Sequence, residues 1–179
     1  MINFNEHALE ISIMELFKDE EYIYLSGKQI HRKRSEILLI DDLKQYLYNR
    51  YAKDSITPNE VDSILLMLRS ISGTIYEANK TVYKKICNGF TLNREDRIQK
   101  DIHIELIDFD SPENNIFKIV NQFEVEGINN QIRIPDSIIF INGIPVVVFE
   151  FKSAIRENTT LIDAYKQLTI RYCRDIPEL

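Results

Sequence analysis
Basic charge is what this sequence has too little of for a free-standing, non-specific nucleic-acid binder. Its 22 lysines and arginines stand against 28 aspartates and glutamates, a net charge of −6, whereas such binders are normally basic. If the chain works on a nucleic acid, other domains or subunits hold the polymer, and this piece contributes chemistry more than affinity. Cysteine is scarce as well. Cys87 and Cys173 show no paired metal spacing, so both are expected as reduced, buried thiols. No apolar run approaches membrane-spanning length and no signal peptide opens the chain; a soluble, cytoplasmic protein without a membrane partner is expected. There is no Gly-x4-Gly-Lys-Ser/Thr loop to bind ATP, no internal repeat and no low-complexity tract. What remains is globular, with 44% hydrophobic and 28% charged residues. A full core and one domain over residues 1–179 are expected.

The informative stretch is Ile134 to Lys152, IPDSIIFINGIPVVVFEFK. It reads as two apolar strands joined at Asn142-Gly143, a strong hairpin signal. Val146 to Phe151 is almost uniformly apolar, which predicts a central strand buried on both faces. Yet it ends in Glu150 and Lys152, two residues apart and therefore on one face. A carboxylate and an ammonium there are costly unless paired or metal-bound. Asp136 is a second carboxylate that the hairpin returns toward them. A two-residue turn pairs Ile141 with Ile144, and by that count Asp136 faces Phe149, on the wrong face from Glu150. Convergence needs a one-residue offset, expected as a bulge at Gly143 or a kink near Pro135. Two carboxylates with a backbone carbonyl form a hard oxygen site suited to magnesium. The competing reading is a surface ion pair at a strand end.

Pro135-Asp136, thirteen residues, then Glu150-Phe151-Lys152 resembles the PD-(D/E)xK nuclease signature. The surrounding RIPDSIIFINGIPVVVFEFKSA resembles the N-terminal nuclease region of the restriction subunit (HsdR) of type I restriction-modification enzymes. The likeness extends more weakly through LIDFDSPENNIFKIVNQFEVEG before the hairpin and AYKQLTIRYCRDIPEL after it. It implies an α/β, restriction-endonuclease-like mixed sheet flanked by helices, with extra N-terminal helices. It implies an endodeoxyribonuclease that hydrolyses phosphodiester bonds in double-stranded DNA, using Mg2+ with Mn2+ as a substitute. Asp136, Glu150 and the Phe151 carbonyl would hold the metal, Lys152 would assist the attack, and Glu10 matches a first-helix glutamate of the family. Specificity and methylation subunits are the implied partners, and ATP would act only through translocation domains absent from this chain. The alternatives are a non-catalytic DNA-docking or assembly module, and a repair nuclease or junction resolvase on the same fold.

Along the chain, a first helix is expected from Asn3 to about Glu20, capped by Asn3 with Glu6 and striped by Leu9, Ile13, Leu16 and Phe17. Glu10 falls beside that stripe, as a metal-site residue or an edge carboxylate. A short strand lies around Tyr22 to Leu25. His31-Arg32-Lys33-Arg34 reads as a solvated run more readily than a phosphate-tracking patch, and His31 has no metal role. An inserted helical part, about 35–89, comprises helices from Ser35 to Ala52, from Thr57-Pro58-Asn59-Glu60 and from Thr74 to Asn88. The sheet core is expected over about 90–179, with strands Ile102–Phe109 and Phe117–Val125 joining the hairpin. Asp108 and Asp110 are explained by turn chemistry. A last helix, Thr160 to Arg174, would bury Leu161, Tyr165, Leu168 and Tyr172. Related nucleases carry a glutamine followed four residues later by a tyrosine that helps place DNA. Gln167 matches the glutamine, but four residues on is Arg171, and Tyr172 is five on. Arg171 is then a phosphate contact or part of a solvated face.

Overall fold
Alternation between two apolar faces builds the sheet that matters here. The structure, a computed structural model, describes residues 6–127, 130–152, 161–177 and 179. Residues up to Leu39 and from Phe117 onward make one unit, and Ile40–Ile116 makes the other.

The first unit opens with α1 (Glu6–Asp19) and β1 (Ile23–Ser26). Its sheet adds β4 (Phe117–Asn121), β7 (Ser137–Ile141) and β8 (Ile144–Phe149), in the order β1-β4-β7-β8. β1 and β4 are parallel, and the other two pairings are antiparallel. Successive side chains of a strand point to opposite faces. Ile119 and Ile139, paired across β4 and β7, therefore meet Met14 of α1. Val120, Ile138 and Phe140 point the other way and pack with Tyr172 and Ile176 from the end of the chain. That end is α5 (Leu161–Lys166), a π-helical turn (Gln167–Tyr172) and α6 (Cys173–Asp175).

Several expectations change. β8 is the edge strand of its sheet, with Val146 and Val147 37% and 42% exposed. Pro145 carried that signal, because a residue without an N–H suits an edge better than the middle of a sheet. Strand Phe117–Val125 stops at Asn121, since Gln122 takes φ 52, and β5 (Val125–Glu126) pairs separately with β6 (Ile132–Arg133). In α1 the buried stripe runs through Glu10 and Met14, one turn apart, while Leu16 is 54% exposed. Leu161 and Tyr165 are also exposed. The Asn3 cap and the Thr160 helix start lie outside the described residues.

The second unit holds α2 (Ile40–Arg50), α3 (Pro58–Arg69), α4 (Ile75–Asn88), β2 (Phe90–Leu92) and β3 (Ile102–Ile104). Helix α2 begins at Ile40 instead of Ser35. Its expected inner face, Leu39, Leu43, Tyr46, Leu47 and Tyr51, is buried. The capping box of α3 is complete: Thr57 Oγ1 accepts from Glu60 N at 3.2 Å, and Glu60 Oε2 accepts from Thr57 N at 2.9 Å. β3 is shorter than expected and pairs with β2 in a sheet of its own, so neither joins the four-stranded sheet, whose strands are β1 and then, from Phe117 onward, β4, β7 and β8. Asp108 is a turn residue: it accepts from Ser111 N at 3.0 Å and Asn114 Nδ2 at 2.9 Å, which hold its carboxyl below the usual range. Cys87 is exposed and Cys173 half-buried, both free, so neither is the fully buried thiol expected. Among the described residues no helix is long and apolar enough to cross a membrane.

Candidate active site
The hairpin solves its register problem in an unexpected place. Asn142 and Gly143 both have positive φ, 50 and 79, the pair of angles that a two-residue type I′ turn requires. Ile141 therefore pairs with Ile144. Phe140 pairs with Pro145 but Ile139 with Val147, so Val146 is an extra residue on β8. The offset comes from this mid-strand bulge, not from Gly143 or Pro135. Beyond it Ser137 faces Phe149, and one step further Asp136 faces Glu150.

The same step can be taken across the whole sheet. Ser26, Asn121, Ser137 and Phe149 form one row by register. The next residue on each strand, Gly27, Gln122, Asp136 and Glu150, lines the mouth. Gln122 N–H donates to the Asp136 carbonyl at 3.0 Å, continuing the ladder by one bond.

Polar contacts at the mouth are dense. Asp136 Oδ2 accepts from Phe151 N–H at 2.7 Å. Glu150 Oε1 accepts from Lys152 Nζ at 2.5 Å, and Glu150 Oε2 accepts from the Tyr172 hydroxyl at 2.8 Å. The Glu150 side chain is only 3% exposed, so this is a buried pair and not the surface ion pair of the competing reading. Burial, above all, raises the Asp136 carboxyl to about 6; the Phe151 N–H opposes this, while Glu150 and Glu10 add to it. The mouth thus carries more negative charge than its own lysine neutralises.

Tyr172 enters the site through the π-helical turn. In an α-helix five residues advance about 500°, which would put Tyr172 roughly 140° from Gln167. A π turn closes i to i+5 instead. Gln167 Nε2 accordingly donates to the Tyr172 hydroxyl at 3.1 Å. The π turn thus brings Gln167 and Tyr172, five residues apart, onto one side of the helix. Burial first, and then Glu150, holds the Tyr172 phenol well above its ordinary pKa, which keeps it a donor. Tyr172→Phe should leave a buried carboxylate oxygen without its partner and cost about 1.5–3 kcal/mol. Denaturant titration of the metal-free chain measures that loss.

Glu10 meets the mouth through Gln122, which also donates to the Asp136 carbonyl. It is 8% exposed and accepts from Asn121 Nδ2 at 3.0 Å and Gln122 Nε2 at 3.3 Å. His7 Nδ1 lies 3.9 Å from its other oxygen. Among the described residues no group of three His, Cys, Asp or Glu side chains is placed to hold a metal ion; the hydrogen bonds of Glu10 go to Asn121 and Gln122. Asn121 and Gln122 were missed by sequence reasoning; their one signal is their place at the end of an apolar strand. Arg171 is exposed, while Arg174 pairs with Asp175 at 2.6 Å.

A four-stranded mixed sheet, helical segments on both faces and Asp, Glu and Lys at its mouth define the restriction-endonuclease-like fold class. The chain belongs to the family described as the type I restriction enzyme R protein N terminus, which it matches over residues 3–179. The type I restriction enzyme HindI endonuclease subunit of Haemophilus influenzae is 30% identical over 98% of this chain. The putative type I restriction enzyme MjaIXP endonuclease subunit of Methanocaldococcus jannaschii is 31% identical over 97% of it. The chain spans 17% of the length of each of these two relatives.

Proposed function
We propose that this chain is a magnesium-dependent endonuclease domain that cuts phosphodiester bonds in double-stranded DNA, working beside specificity and methylation subunits. The observation that carries the reading is the placement of Asp136 and Glu150 one step past the Ser137–Phe149 pair at the sheet mouth, with Lys152 on Glu150. The donor set suits the ion. Carboxylates are hard oxygen ligands of the kind magnesium takes, and a carboxyl raised to about 6 by burial and two like charges is relieved by a cation. Asp136 and Glu150 would hold it, with the Phe151 carbonyl as a third donor. Bound there, the metal would supply a water of lowered pKa and would neutralise charge at phosphorus.

The chain's own groups do the rest. Phe151 N–H and the Tyr172 hydroxyl fix the two carboxylates. Lys152, 18% exposed and already hydrogen-bonded to Glu150, places an ammonium where negative charge develops. Sequence choice belongs to partner subunits, and ATP-driven translocation to segments these residues do not include.

Supercoiled-plasmid nicking, with calorimetric titration of magnesium and manganese, tests the reading. The chain should bind either ion and nick only in its presence. Lys152→Ala should keep metal binding and slow nicking by about 10²-fold, the scale of losing one stabilising charge at a transition state. A chain that takes up neither ion would overturn the proposal, and unaltered nicking by Lys152→Ala would remove that residue's role.

A further inference from the structure
A second polar site adjoins the first. A cleft of about 250 Å³ is lined by Gly27, Lys28, Ile30, Arg32, Arg34 and Glu124. That is smaller than pockets that enclose a whole small molecule. Three cations against one carboxylate make it locally positive in a chain whose net charge is −6. The three cations differ in what they can do. Arg32 is part of the wall: it donates to the carbonyls of Lys33 at 3.0 Å, Arg34 at 3.3 Å, Glu36 at 2.8 Å and also Glu124. Its guanidinium lies 3.5 Å from the centre of the Phe123 ring. Arg34 Nε pairs with Glu124 Oε2 at 2.6 Å, yet its side chain is 55% exposed. Lys28 is exposed and has no carboxylate partner among the described residues.

The cleft is tied to the sheet mouth through one residue. A Cβ on Gly27 would lie 2.3 Å from the Gln122 carbonyl, so only glycine permits this approach. Gln122 in turn bonds the Asp136 carbonyl and the Glu10 carboxylate, and it holds φ 52, a left-handed angle uncommon outside glycine. From Gly27 to Asp136 is two strand spacings, about 10 Å. A phosphate in the cleft and a phosphate at the carboxylates would therefore fit one stretch of one duplex.

We infer that this cleft takes a backbone phosphate of the DNA substrate, held by Lys28 and the free edge of Arg34, and so sets which phosphodiester reaches Asp136 and Glu150. The inference deepens the nuclease reading and rests on it. It also gives a place to the affinity that the acidic composition leaves unexplained.

The test is an anisotropy titration of a short labelled duplex across a salt series, in the Asp136→Asn chain so that no strand is cut. Adding Lys28→Ala should weaken binding several-fold and lower the slope of log affinity against log salt by about one. Glu124→Gln, which frees Arg34, should tighten binding. Lys33→Ala removes the same charge from outside the cleft lining and should have a much smaller effect. If Lys28→Ala and Lys33→Ala are indistinguishable, if Glu124→Gln does not tighten binding, or if the parent binds no duplex, the inference is overturned. If the native chain neither binds metal nor nicks while the Lys28 and Glu124 effects persist, the nuclease reading falls and the cleft stands as a DNA contact.

Discussion

Asp136→Asn should abolish cutting and, above pH 6, leave the metal-free chain more stable than the native one. Burial raises the Asp136 carboxyl from 3.8 to about 6. A group raised in the folded state stabilises the fold while it is protonated. That contribution is complete below about pH 4 and is lost as pH rises through 6. A displacement of this size is equivalent to about 3 kcal/mol. Solvent around the half-buried side chain reduces it to about 1–2 kcal/mol. Asparagine keeps an acceptor for Phe151 N–H and carries no charge, so it removes the penalty. The thermal midpoint should rise by about 3–6 °C at neutral pH and stay level with the native chain below pH 4. Magnesium should raise the native midpoint by mass action and leave that of Asp136→Asn unchanged. Loss of cutting together with lost stability at neutral pH would instead make Asp136 a structural residue. A stability gain without loss of cutting would place the chemistry elsewhere.

Local rules were legible wherever a single turn or cap decided the matter. Asn142-Gly143, the Thr57–Glu60 capping box and the inner face of α2 follow from residue types at short spacing, and the structure has all three. The need for a one-residue offset was legible from parity alone, since side chains alternate along a strand. Its location was not, because a bulge at Val146 leaves no residue signature when every neighbour is apolar. Likewise an apolar run reads as central unless Pro145 is weighed against it. The strand expected over Ile102–Phe109 shows the limit of pattern: Leu106 and Ile107 are buried, but Glu105 N–H donates to the Tyr51 hydroxyl and its carbonyl accepts from the Tyr46 hydroxyl. No sheet partner is left for that residue, and no local reading of the segment foresees those tyrosines.

The mouth divides in the same way. Asp136, Glu150 and Lys152 stand out as charges at the ends of apolar strands. Tyr172 was displaced by one position from the spacing that would have marked it, and only the π turn shows why it still reaches Glu150. Glu10 is the converse case. Its place on α1 beside the apolar stripe was readable, but its partners Asn121 and Gln122 are more than a hundred residues away in sequence. They hold its carboxylate near enough for its charge to raise Asp136. The basic run reads as a solvated face, but its members differ: Arg32 is packed against Phe123 and bonded to four carbonyls, while Arg34 and Lys28, the latter outside the run, line the cleft.

The largest expected loss of stability comes from the second unit, at Glu60. Its side chain is 2% exposed, and Arg94, 4% exposed, donates to it from Nε at 2.8 Å. Glu60 Oε1 also accepts from Glu95 N at 3.2 Å, and Arg94 goes on to the carbonyls of Asp54 at 2.8 Å and Ser55 at 3.1 Å. One carboxylate thus closes the start of α3, and its guanidinium partner ties the loop before α3 to the segment after β2. Replacing that pair by apolar residues need not be costly, but removing one partner strands a buried charge. Glu60→Ala should therefore cost about 3–5 kcal/mol. Glu60→Gln keeps one acceptor oxygen, enough for Arg94 and Glu95 N–H or for Thr57 N–H but not both, and should cost less than alanine. Burial opposes ionisation of Glu60, yet its hydrogen bonds and Arg94 hold the carboxyl below the ordinary range. Its contribution is present above the unfolded pKa and is lost as pH falls through the folded value. Glu60→Ala should accordingly flatten the acid limb of the stability curve. Amide hydrogen exchange separates local from global damage. Protection should fall in α3, β2 and β3 while β4 and β7 retain theirs; an equal loss in all five would mean that the two units unfold as one, and a sheet mouth able to bind metal would then require Glu60 as well as its own carboxylates.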